Sequence, residues 1–265
     1  MLIDPHVHLE TFSTDEIEEI MNRANNAGIA GVISAGVDLK TSKKSIKLSK
    51  KFTNIFSGVG IHPMNIPKDL NEEIFLEIHN LALNSEKVLV ISEIGLDFTG
   101  DISNRKNQFD VFRQQIRIAL ELKLPIVFHS RESHQEVLRI LREEKAYEVG
   151  GIMHYFQGDE NIANQAINLG FYLSFAKPLL RYPHLQKIIS NLNLNKIIVE
   201  TDTYPQRFKT NRNKWTEPKD LVLIISKISE IKKMPFNEIE ANIHNNLKSL
   251  LKNKWHIIDK YLIDN

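Results

Sequence analysis

A chain of 265 residues, 42% hydrophobic and 25% charged, can bury a large core and reads as globular. Its formal net charge of +1 offers no bulk attraction to a polyanion, so any nucleic-acid binding has to come from a local basic patch. The absence of cysteine excludes disulfides, thiolate metal ligands and a cysteine nucleophile, and leaves His, Asp and Glu to hold any metal ion.

Short apolar runs alternate with longer stretches of helical period from end to end. The runs place strands near residues 2–4, 31–34, 55–58, 88–92, 126–128, 151–153, 171–174 and 196–199. Helices fill the gaps. Residues 14–27 open on the capping sequence Ser13-Thr14-Asp15-Glu16 and close on Gly28, and residues 104–122 end just before Leu124-Pro125. No apolar run approaches the roughly 18 residues of a spanning helix, and the start lacks the segments of a signal peptide, so the expected location is cytoplasmic. No low-complexity tract or linker divides the chain, and residues 1–265 are expected to form one domain.

Eight β-then-α units in about 250 residues match a parallel (β/α)8 TIM barrel, although a doubly wound open sheet gives similar alternation. The ionisable residues arbitrate. His6 and His8 follow the first run, His62 the third, Glu93 the fourth, His129 the fifth, His154 the sixth and Asp202 the eighth. In a barrel, strand ends of that kind form one ring around one pocket, whereas in an open sheet they would be spread along an edge.

In Asp4-Pro5-His6-Val7-His8 the two histidines sit two apart, so an extended strand turns both to one side, close enough to share a metal ion. Glu93 stands where the run 88–92 meets a glycine turn at Gly95, placed to bridge two cations. His129 and His154 each end an apolar run, while His79, His134, His184, His244 and His256 fall in or beside helices and need no function. Asp202 is the expected carboxylate ligand, with Glu200 on the same face or in the layer below. His6, His8, Glu93, His129, His154 and Asp202 are too many donors for one ion that keeps a position open for water, so two ions are expected. Nitrogen-plus-carboxylate ligands suit Zn, Mn, Co or Mg. Two-metal chemistry of this kind is hydrolysis, with Glu93 and Asp202 as catalytic residues and Asp202 as proton acceptor. Residues 203–216 carry Arg207, Lys209, Arg212 and Lys214 among Tyr204, Phe208 and Trp215 with no acidic residue. That segment suits a nucleic-acid strand, and it suits equally a solvated loop with Trp215 packed on the rim.

Taken together, DPHVHL at the start, GVGIHP ending at His62-Pro63, ISEIGLDF around Glu93, Gln115 and Ala119 ahead of PIVFHSR, HYFQG at His154, VETD at Asp202 and Asn246 near the end resemble the TatD family of metal-dependent deoxyribonucleases. The resemblance runs from Asp4 to about Leu251. It implies that His6, His8, Glu93 and Asp202 bind one ion, that Glu93, His129 and His154 bind the other, and that His62 and Arg131 approach the substrate phosphate. It implies phosphodiester hydrolysis of DNA, often exonucleolytic. The expected partner is DNA, single-stranded or at a strand end, with no membrane, and a monomer is expected with an oligomer left open. Arg207 and Arg212 are the expected strand contacts from the basic loop. Departures from the pattern fall at the rim: Tyr155 and Gln157 at positions usually small, the continuation after Lys177-Pro178, and Tyr204 between Thr203 and Pro205. They leave open a hydrolase of small esters, lactones or amides using the same cage; a binding barrel without turnover would lack a ligand, and none is missing.

Overall fold

The computed structural model describes residues 1–99 and 105–262. Eight parallel strands pair in chain order: β1 (Leu2–Val7), β2 (Ile29–Ala35), β3 (Ile55–Val59), β4 (Val88–Asp97), β5 (Ile126–Arg131), β6 (Gly151–Met153), β7 (Tyr172–Phe175) and β8 (Ile197–Val199). Parallel neighbours need long crossovers, and helices supply them. They run from α1 (Thr14–Asn26) and α2 (Leu39–Lys51), through α3 (Glu72–Leu83), α4 (Arg105–Leu122), α5 (His134–Glu143), α6 (Glu160–Asn168) and α7 (Pro183–Asn191), to α8 (Leu221–Lys232). The expected start of the fourth helix at Asn104 lies outside the described residues.

The ring meets itself where the chain beyond β8 reaches β1. Val7 bridges Thr203, the His8 N–H donates to the Thr203 carbonyl at 2.7 Å, and the Asp202 N–H donates to the His6 carbonyl at 3.1 Å. Beneath this seam the fully buried Asp4 carboxyl accepts from the Thr201 N–H at 3.2 Å and from its hydroxyl at 2.5 Å. The expected TIM barrel therefore stands and the open sheet falls. The residues that close it are the neighbours of three of the expected ligands.

Local chemistry explains the elements. In α1 the Ser13 hydroxyl accepts from the Glu16 N–H and the Glu16 carboxylate accepts from the Ser13 N–H, a reciprocal cap worth about 1 kcal/mol. Ile17, Ile20, Met21 and Ala24, spaced three and four apart, form its buried face. Two further helices, α9 (Phe236–Leu250) and α10 (Trp255–Leu262), plug the N-terminal end of the barrel. Their Leu247, Trp255 and Ile258, with Leu251 between the two helices, pack under a floor of inward residues that includes Ile3, Ile33, Phe56, Val127, Ile152 and Ile198. Each such aliphatic side chain contributes about 1.5–3 kcal/mol by leaving water. The Asn246 amide donates to the Leu194 and Ile197 carbonyls at 2.7 and 2.8 Å and fixes the start of β8.

Strand alternation then sets the next layer up. Two residues beyond Val127, Ile152 and Ile198 stand His129, His154 and Glu200, on the same inward side. Three strands run further than their apolar cores imply: β1 includes His6, β4 continues through Glu93 to Asp97, and β5 includes His129. Gly95 is accordingly not a turn. It pairs with His129 in the β4–β5 ladder, where a Cβ would stand 2.0 Å from the His129 carbonyl oxygen, so only glycine lets the strands meet. Among the described residues no helix is long and apolar enough to cross a membrane.

Candidate metal centre

Glu93, 4% exposed, sits at the centre of the inner layer with its two carboxylate oxygens turned to different histidines. Oε2 is 3.5 Å from His6 Nε2 and 3.5 Å from His8 Nε2. Oε1 is 3.2 Å from His129 Nδ1, 3.2 Å from His154 Nε2 and 3.6 Å from His62 Nε2. Asp202 joins the first group, its Oδ1 lying 3.4 Å from His8 Nε2 and 3.9 Å from His6 Nε2. The fold thus brings His6, His8, His62, Glu93, His129, His154 and Asp202 together, and three overlapping sets of them have the spacing to hold a metal ion.

The outward ring nitrogens decide which way the lone pairs point. His129 Nε2 meets the Asp97 carboxylate at 2.9 Å, His154 Nδ1 meets Glu200 Oε1 at 2.7 Å, and His8 Nδ1 meets the Ala35 carbonyl at 3.1 Å. The carbonyl can only accept, and Glu200 Oε1 already accepts from the Tyr155 N–H at 2.7 Å. Each outer nitrogen therefore carries the proton, and in the neutral ring each inner nitrogen offers a lone pair to the cage. His62 is the reverse: its Nδ1 accepts from the Met64 N–H at 3.1 Å, which puts the proton on Nε2 and makes it a donor toward Glu93.

A cation fits this arrangement. His6 is fully buried, yet neither ring nitrogen has a hydrogen-bond partner, a state that costs roughly 1–3 kcal/mol for an ordinary buried polar group. Burial alone would push the Glu93 carboxyl up, but the charge of His154 and the hydrogen bonds from His129 and His154 outweigh it and hold the group well below the usual carboxylate range. Burial is likewise overcome at Asp202, where the hydrogen bond from His8 and the charges of His154 and His6 hold it at about 2. Burial lowers His62 to about 4, so its ring is neutral at pH 7. Although burial lowers the rings of His8, His129 and His154, their carboxylate partners raise all three, so the inner nitrogens carry protons toward these carboxylates; a cation would displace those protons and meet nitrogen and oxygen donors together.

A family model described as TatD related DNase matches residues 3–252. The chain belongs to the TatD family. It is 34% identical over 260 residues to an uncharacterized metal-dependent hydrolase, YabD of Bacillus subtilis, covering 95% of this chain and 99% of that one. It is 25% identical over 272 residues to human deoxyribonuclease TATDN3, covering 98% and 97%. The crystal structure of the Escherichia coli TatD homologue YjjV superposes with a TM-score of 0.85 at 22% identity over 94% of this chain and 97% of that one, a likeness of fold. This TatD protein is a metal-dependent hydrolase.

Several polar residues that position the cage were not singled out as site residues in the sequence. Asp97 and Glu200 orient His129 and His154 through the bonds above. Two glutamines of α4, seven residues apart, clasp backbone like a short piece of ladder. Gln115 takes the Ile61 N–H at 2.7 Å and gives to its carbonyl at 3.0 Å, fixing the chain before His62. Gln108 does the same for Asp97 at 2.9 and 2.9 Å. His134, read as a helical histidine without function, bonds Ser130 at 2.7 Å and lines the cavity over the cage. That cavity, about 470 Å³, is also lined by Arg131, Tyr155 and Tyr204.

Arg207 and Arg212 are not among the residues lining that cavity. Arg207 is exposed on a turn. Arg212 donates to Glu217 at 2.7 Å and lies 4.4 Å over the Trp215 ring. Glu217 also takes a bidentate pair from Arg23 of α1 at 2.8 and 2.9 Å, and Trp215 packs near Phe12 at 6.2 Å. Arg212, expected as a strand contact, is thus engaged through one guanidinium nitrogen by a buried carboxylate that Arg23 of α1 shares.

Proposed function

We propose that this chain is a deoxyribonuclease that hydrolyses phosphodiester bonds at DNA strand ends with water activated between two divalent cations. The observation that carries the reading is the division of the Glu93 carboxylate, with Oε2 facing His6 and His8 at 3.5 and 3.5 Å and Oε1 facing His129 and His154 at 3.2 and 3.2 Å. His6, His8, Glu93 and Asp202 would hold one ion, and Glu93, His129 and His154 the other, His62 being left out because its Nδ1 accepts from the Met64 N–H; Zn, Mn, Co or Mg are all compatible with these donors. When bound, the pair would lower the pKa of a water and offset charge on the phosphoryl oxygens.

The chain's own groups supply the rest. Asp202 is positioned to take the proton of the attacking water. The Nε2–H of His62 donates to a phosphoryl oxygen, and Arg131, exposed and without an ion pair among the described residues, takes the phosphate at the mouth. The substrate class is supported by the human relative named a deoxyribonuclease. A 470 Å³ cavity, small-molecule in size, favours a strand end over the middle of a duplex. The cage is complete within one chain, which supports a monomer, and we place its action in the cytoplasm.

The same cavity volume admits a small ester or lactone, so the test must separate the two. End-labelled single strand is given to metal-loaded protein at about 50 and 200 mM salt, alongside a neutral ester. Cleavage of the strand that stops with chelator, and whose KM climbs steeply with salt, is the expected result. Salt-independent turnover of the ester with the strand intact would assign the cage to small substrates instead.

A further inference from the structure

The mouth carries four side chains that alternate in type around consecutive strand ends. They are Arg131 closing β5, Tyr155 after β6, Arg181 after β7 and Tyr204 after β8. The strands pair in that order, with neighbours about 4.7–4.9 Å apart, so Arg131, Tyr155 and Tyr204 belong to one wall of the mouth, and Arg181, six residues past β7, is near enough for its charge to act on the Tyr155 phenol. Arg131, Tyr155 and Tyr204 line the cavity directly over His129, His154 and Asp202. The Tyr155 ring lies 5.8 Å from that of His154, and its phenol stands in the fields of Asp202, Tyr204 and Arg181. Tyr204 is 38% exposed beside Asp202 and His8.

These side chains are uncommitted. Neither phenol and neither guanidinium has a side-chain hydrogen bond or ion pair among the described residues. This contrasts with the neighbouring basic residues, since Lys177 is paired with Asp220 at 2.7 Å and Lys209 is bonded to Gln206 at 2.5 Å. Tyr155 also has φ 47°, a region that bulky side chains rarely occupy, and its N–H is anchored to Glu200. Backbone held against its preference clusters at working sites, and here it turns an aromatic ring into the cavity.

We propose that Tyr155 and Tyr204 form a stacking subsite for the unpaired base beside the scissile phosphate, with Arg181 taking the phosphate beyond it. Aromatic faces alternating with cations suit a single strand, whose bases have free faces, and not a duplex, whose bases are already stacked. The subsite makes the enzyme select single-stranded ends. It rests on the DNA reading for its substrate class.

The test uses metal-stripped protein, so that binding is read without turnover. The probes are short single strands carrying 2-aminopurine near one end, and the same strands with an abasic residue placed in turn at each terminal position. Wild-type protein is expected to quench the 2-aminopurine and to bind one abasic strand about tenfold or more weakly than the intact strand. Tyr155→Leu with Tyr204→Leu should lose the same factor on the intact strand and nothing further on the abasic one. Tyr155→Phe with Tyr204→Phe should stay within about twofold of wild type, since the ring is what stacks. Equal affinity of wild type for all abasic strands, which needs no variant to fold, overturns the subsite. So does a leucine pair that loses affinity equally on intact and abasic strands. Base-dependent binding by a protein that, reloaded with metal, leaves the strand uncut would sink the hydrolysis reading and keep the subsite; cutting with no dependence on any base would do the opposite.

Discussion

The two ends of the barrel each bury ionisable groups, and they treat them in opposite ways. At the floor the Lys87 ammonium is sealed at the start of β4, donating to the carbonyls of Ser49, Phe52 and Thr53 at 2.7, 2.7 and 2.9 Å. It lies 4.3 Å from the Tyr261 ring centre. Every proton of that ammonium has an acceptor supplied by the protein, and the result caps the end of α2. At the mouth His6 is buried at least as deeply, and among the described residues neither ring nitrogen has a hydrogen-bond partner. A polar group satisfied internally adds to stability. One left unsatisfied among ionised carboxylates costs stability and is retained because something from outside completes it.

Mutations should separate the two ends. The largest effect belongs to Glu93→Ala, which removes a donor from both proposed ion positions. Its rate on DNA should fall beyond the ~10²–10⁴-fold typical of losing a single acid–base group. A folded Glu93→Ala protein with near-normal turnover would erase the distinction between mouth and floor. Next comes Asp202→Asn, which keeps shape but removes the proton acceptor. Compared at equal metal occupancy, the rate should drop by ~10²–10⁴-fold, and an unchanged rate would show that Asp202 takes no proton. Glu200→Gln and Asp97→Asn should each weaken metal binding or activity by about 10–100-fold, read by competition against a chelator. Metal affinity indifferent to both would mean the rings are held by packing alone.

The floor should respond in stability only. Lys87→Met leaves three carbonyls without their donor and is expected to cost about 3 kcal/mol in denaturant unfolding while kcat is unchanged. A pH signature goes with it. Burial lowers the Lys87 ammonium from the usual 10.5 to about 8, so between those values the unfolded chain holds a proton that the folded chain has released. Wild-type stability therefore gains from this residue as pH rises through that window. The gap to Lys87→Met should widen with it, and a constant gap would show that the folded-state ammonium is not lowered.

Much of the mouth was legible in the sequence because ligand-type residues interrupt apolar runs, as His129 does after PIVF and His154 after GIM. What escaped depended on contacts that a pattern does not carry. Asp97 and Glu200 matter because of which ring nitrogen they touch, and both sit within motifs whose other members drew attention first. Gly95 looks like a turn because glycine usually marks one; its actual role, clearance for the His129 carbonyl, requires knowing that β5 lies alongside. The basic loop carried two readings of equal weight, and contacts outside its own residues bear on them. Residues 203–216 contain no acid, but the next residue is Glu217, and it engages one nitrogen of Arg212.

The most direct test of the central claim is the number of divalent ions per chain, measured by elemental analysis after dialysis, in wild type and in folded Glu93→Ala. Two ions in the wild type, and one or none in the variant together with the loss of DNA cleavage, is the predicted result. Two ions retained in Glu93→Ala, or a single ion in a fully active wild type, would contradict a carboxylate bridge between two metals.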